Sequence, residues 1–99
     1  MMERNAVLKE VSLAIGTAWA RSVCDNIKEQ GRVIAGGWPG TLAEARARIA
    51  TRLRDELVLH GMKALDPEEL EQAVSATYVR AKQEWLGIER RVDSQPASK

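Results

Sequence analysis

A chain of 99 residues, 44% hydrophobic and 29% charged, is long enough for one domain with a modest core and too apolar for a disordered segment. Its 15 Lys and Arg against 14 Asp and Glu leave a formal charge of +1, so no long-range field draws it to nucleic acid or an anionic membrane. The one cysteine, Cys24, cannot close an internal disulfide, which points to a reducing compartment.

The N-terminal "MMERNAVLKE" carries Glu3 and Glu10 where a signal peptide would be basic and then apolar. The uncharged run Val11–Ala20 is about half the roughly 20 residues a spanning helix needs. A cytoplasmic protein is therefore expected. With no phenylalanine, its core must be filled by Leu, Val, Ile, Ala and three tryptophans.

From about Arg4 to Gln30 the apolar residues follow a helical period. Val7, Leu8, Val11, Ala14, Ile15, Ala18, Trp19 and Ser22 share one face when each residue advances about 100°. A second stripe, Leu13, Ala20, Cys24 and Ile27, runs down the opposite side. A helix apolar on two sides needs two surfaces to pack against. The second stripe is the expected dimerisation surface for another copy of the chain, unless the chain's own helices cover it.

Next comes "GRVIAGGWPGTLAEAR", residues 31–46, where a Trp-Pro pair sits among four glycines. The glycines do not fit the G-x-G-x-x-G dinucleotide fingerprint, and no lysine follows Gly40-Thr41 as a P-loop requires. Pro39 also lacks the amide a phosphate would use. "RVIA" is too short, and has no evident pairing partner, to read as a strand. The segment is a turn that positions one large side chain, since Pro39 holds Trp38 extended. Trp38 either folds back as a lid on the core or, with Pro39, points outward as an interface anchor.

The second helix opens at Thr41 with the capping box "TLAE" and stops at Gly61. Leu42, Ile49, Ala50, Leu53 and Leu57 form its apolar stripe. Its Arg46, Arg48, Arg52 and Arg54 stand against Glu44, Asp55 and Glu56, a net of +1, with Glu44–Arg48 and Arg52–Glu56 spaced to pair along the helix. Arg46 falls on the apolar stripe, so it must extend along its own stem or meet a carboxylate of another helix or chain.

The third helix has the clearest start. In "ALDPEELEQ" Asp66 caps, Pro67 is the first helical residue, Glu69 completes a capping box, and Leu65 and Leu70 hold the staple positions. Glu68, Glu69 and Glu71 at its start and Arg90 and Arg91 at its end suit the helix dipole. Its inward face is Leu70, Val74, Thr77, Tyr78, Ala81, Trp85 and Ile88. After Arg91, "VDSQPASK" has no periodicity, so residues 92–99 are expected to be a disordered tail behind a domain spanning residues 1–91.

The expected fold is thus all-α: a three-helix, bundle-like single domain with a long, two-sided N-terminal helix. No catalytic, cofactor or metal constellation is visible. His60 is the only histidine and suits a helix C-terminus, Cys24 packs as a small hydrophobe, and one Cys with one His is no ligand set. The expected function is a small non-enzymatic interaction protein, a regulator, adaptor or inhibitor that binds another protein. A phage-encoded inhibitor of a host defence complex would have this size. Trp38, Pro39, Arg46, Arg48 and Arg52 are its candidate partner-binding residues. A dimeric DNA-binding regulator using the Arg-rich second helix is the alternative, favoured if Arg48 and Arg52 cluster with Arg32 or Arg80. An enzyme would need a cleft containing His60 or Cys24.

Overall fold

The computed structural model describes residues 3–32 and 37–94. It contains α1 (Arg4–Glu29), α2 (Leu42–Leu59) and α3 (Pro67–Ser94), and no strand among the described residues. "RVIA", apart from Arg32, lies outside them, as does 95–99 of the expected tail. Helix α3 itself runs on through 92–94.

Each boundary has a local cause. Thr41 caps α2 through a reciprocal box: its hydroxyl accepts the Glu44 N–H at 3.1 Å, and the Glu44 carboxylate accepts the Thr41 N–H at 3.1 Å. The same box opens α3, where Asp66 Oδ1 accepts the Glu69 N–H at 2.8 Å and Glu69 Oε1 accepts the Asp66 N–H at 3.2 Å. α1 and α2 both end in Schellman turns. At Gly31 (φ +70°) and Gly61 (φ +66°) the chain turns left-handed, and the next residue's N–H bonds back to the carbonyl of Ile27 or Leu57. Without a Cβ these glycines adopt that conformation at little cost.

Helices α1 and α3 form the backbone of the domain. Their cross-contacts keep a nearly constant sequence offset: Arg4 with Glu69, Ser12 with Thr77, Thr17 with Arg80, Arg21 with Glu84. A constant offset means the two run parallel. α2 returns between their ends, since the residues before α3 sit at the start of α1, where Arg4 donates to the carbonyls of Lys63 and Ala64 at 2.8 and 2.9 Å. Gly16 sets how closely α1 and α3 approach. A Cβ there would lie 2.6 Å from the Thr77 carbonyl oxygen and 2.8 Å from the Arg80 Cβ.

The core combines Val7, Trp19, Ala20 and Cys24 of α1, Ala45, Ile49, Leu53 and Leu57 of α2, and Ala73, Val74, Ala81, Trp85 and Ile88 of α3. On α3 the expected face is the observed one, with Ala73 added and with Leu70 and Tyr78 only partly covered. On α2 the buried row is Ala45, Ile49, Leu53, Leu57, while Leu42 is 55% exposed and Ala50 half-buried. The stripe is thus rotated away from Leu42 towards the smaller Ala45, which lets α2 sit close.

On α1 the two-stripe expectation needs correcting. Ala20 and Cys24 are buried by the chain's own helices and cannot meet a second copy. Leu13 and Ile27 are half-buried. From the stripe expected to face inward, Ala14, Ala18 and Ser22 are instead exposed. A helical period counted without side-chain size does not separate Ala14, Ala18 and Ser22 from their larger neighbours. The larger Trp19, Leu8, Val11 and Ile15 pack against the core instead.

Candidate functional site

The Trp38 segment is built from three tryptophans and one carboxylate. Trp38 packs edge-to-face on Trp19, with centroids 4.8 Å apart, and on Trp85, at 5.5 Å. A Cβ on Gly40 would meet the Trp19 ring at 2.7 Å, so only glycine passes there. Glu89 Oε1 fastens the arrangement to α3, accepting the Trp85 indole N–H at 2.8 Å and the Gly37 amide N–H at 3.0 Å. Trp38 is half-buried and lies against the core as a lid, while Pro39 is exposed. The indole N–H groups of Trp19 and Trp38 are shut from solvent and have no acceptor among the described residues.

The arginines take separate roles. Arg46 reaches across to α3 and grips Glu71 in a two-pronged pair, with Nη2 to Oε2 at 2.9 Å. This hydrogen bond holds the Glu71 carboxyl below its ordinary range. The pair is a surface contact within the chain, with Arg46 beside the buried row rather than in it. Arg52 pairs with Glu56 at 3.6 Å, as spaced. Arg48 does not take Glu44, which is committed to its capping box. Its guanidinium lies 5.3 Å over the Trp19 ring instead.

The helical geometry brings other residues to the same place. Ala14, Ala18 and Ser22, one turn apart, form an exposed ridge on α1. On the α3 side lies a groove of about 700 Å³ bordered by Thr17, Arg21 and Arg80. On the α2 side lie two hollows, one bordered by Arg52 and Glu56, the other by Trp19 and Arg48. Ala18 borders all three. Four arginines therefore surround one small side chain. Arg21 is paired with Glu84 at 3.1 Å and Arg52 with Glu56, whereas Arg80 donates to the Thr17 hydroxyl at 2.9 Å and, like Arg48, has no carboxylate among the described residues. Arg48 and Arg52 thus share a face with Arg80, as the DNA-binding alternative requires. The same face carries Glu10 and Glu56 at one end and Asp25 at the other.

No family model, curated protein or solved structure matches the chain.

His60 is at the α2 C-cap, 3.7 Å from Glu56, and Cys24 is buried with Trp85 and Ile88 towards the other end of the bundle. The two cannot act on one substrate. Among the described residues no group of three or more His, Cys, Asp and Glu is placed to hold a metal ion, and no helix is long and apolar enough to cross a membrane.

Residue type alone does not single out Arg4, Gly16 or Glu89. Arg4 makes a two-pronged pair with Glu69, both contacts at 2.7 Å, beside its two carbonyl bonds. This pair first, and the Asp66 N–H second, bring the Glu69 carboxyl down from 4.5 to about 2. The signal for Gly16 was available as a glycine in mid-helix away from any cap. The contacts of Arg80 with Thr17 and of Glu89 with Gly37 span more than 50 residues and have no local signal, whereas Glu89 and Trp85 stand four residues apart on α3.

Proposed function

We propose that this domain works by binding another protein, as a regulator, adaptor or inhibitor, and catalyses no reaction. One observation carries the reading: the outward side of α1 presents Ala14, Ala18 and Ser22 between grooves on both flanks. Small side chains on an exposed helix ridge allow another backbone to approach closely, and grooves on either side accept its larger side chains. The Trp38 segment, committed to Trp19 and Trp85, supports the shape of this surface from beneath and is not its anchor.

The test uses Ala18→Arg. The side chain is exposed, so the fold should be kept, while a long charged chain on the ridge blocks close approach. The wild-type chain immobilised in lysate of its native host should retain a protein that the variant loses. Equal retention by both would remove α1 as the binding face.

A DNA-binding role is the second reading, favoured by the convergence of Arg48, Arg52 and Arg80. It predicts a duplex mobility shift that weakens steeply with salt through counterion release and disappears in the Arg48→Ala, Arg52→Ala double variant. The carboxylates at both ends of the arginine cluster weigh against it, because a phosphate backbone following the face would meet Glu10, Glu56 and Asp25.

A further inference from the structure

We draw no further inference here: the strongest candidate, the uncharged outward stripe of α3 formed by Gln72, Ala76, the exposed Val79 and Gln83, carries no proposal because nothing in the structure shows what covers it, the acidic start at Glu68 and basic end at Arg90 being charges that the helix dipole alone favours.

Discussion

Gly16 and Gly87 are both helical glycines, and the structure assigns opposite signs to the same substitution at the two sites. In a helix interior Gly→Ala gains about 1 kcal/mol from intrinsic propensity, largely by restricting the unfolded chain. At Gly87 nothing lies within 4 Å of the added Cβ, so that gain should appear nearly whole, at about 0.5–1 kcal/mol. At Gly16 the Cβ would sit 2.6 Å from the Thr77 carbonyl oxygen, 2.8 Å from the Arg80 Cβ and 3.1 Å from the Ala81 amide. Those are backbone atoms and the root of a side chain, so no rotamer change relieves them. α1 and α3 must separate along the seam that carries Ser12, Thr77 and Ala81. Overpacking of this kind costs roughly 1–3 kcal/mol and at a rigid backbone contact lies towards the upper end. The net for Gly16→Ala is therefore a destabilisation of about 1–2 kcal/mol.

Urea unfolding followed by circular dichroism measures both. With a slope of about 1–1.5 kcal/mol per molar for a domain of this size, Gly16→Ala should lower the midpoint by roughly 1 M and Gly87→Ala should raise it by about half as much. An unchanged slope would show that stability has changed without a change in the surface exposed on unfolding. A raised midpoint in Gly16→Ala would refute the close α1–α3 approach. A lowered one in Gly87→Ala would refute the open surroundings of that residue.

Two further outcomes follow from the contacts. Because Glu69 titrates at about 2 in the folded chain and 4.5 when free, its depressed pKa adds stability that is fully present above 4.5 and is lost as pH falls towards 2. Urea midpoints measured from pH 6 to 2 should fall less steeply across that window in Glu69→Gln, and an identical pH dependence would exclude the Arg4–Glu69 pair as its source. Trp38→Ala should destabilise the fold by about 3 kcal/mol, the low end for a buried aromatic because this ring is half-buried. A melting temperature left unchanged would mean that Trp38 faces outward in solution.

Helix number, the starts of α2 and α3, the ends of α1 and α2 and the α3 core face could be read directly from the chain because local chemistry determines them, whereas α3 runs three residues beyond Arg91. Asp66 and Glu69 cap α3 whatever the rest of the molecule does, and Thr41 and Glu44 do the same for α2. Gly31 and Gly61 sit where a left-handed residue is required. On α3, large residues recur at a strict helical spacing and leave one solution. On α1 they do not, because alanine and serine occur on both sides and hydrophobicity alone does not rank them. Trp19, Val7 and the partly covered Leu8, Val11 and Ile15 gain more from burial per residue than Ala14, Ala18 and Ser22, so volume decides which face turns inward. Weighting the helical period by side-chain size would have turned the small ridge outward.

The arginine cluster shows a different limit. Along α2 the arginines spread around the helix, and counting charges there gives nearly zero. The convergence at Ala18 arises only when α2 lies against one side of α1 and α3 against the other, bringing Arg48 and Arg52 to face Arg80 and Arg21 across a single ridge. Pairing rules along the helix anticipated Arg52–Glu56 correctly and Glu44–Arg48 wrongly, for one physical reason. A carboxylate at the third helical position satisfies a backbone N–H that has no other partner, and that demand outweighs an exposed ion pair worth about 0.3–0.5 kcal/mol. Arg48, released from Glu44, settles on the face of Trp19 and keeps its charge available at the rim of the groove. A capping choice at the first turn of α2 thereby leaves a cation unpaired on the surface proposed to meet a partner.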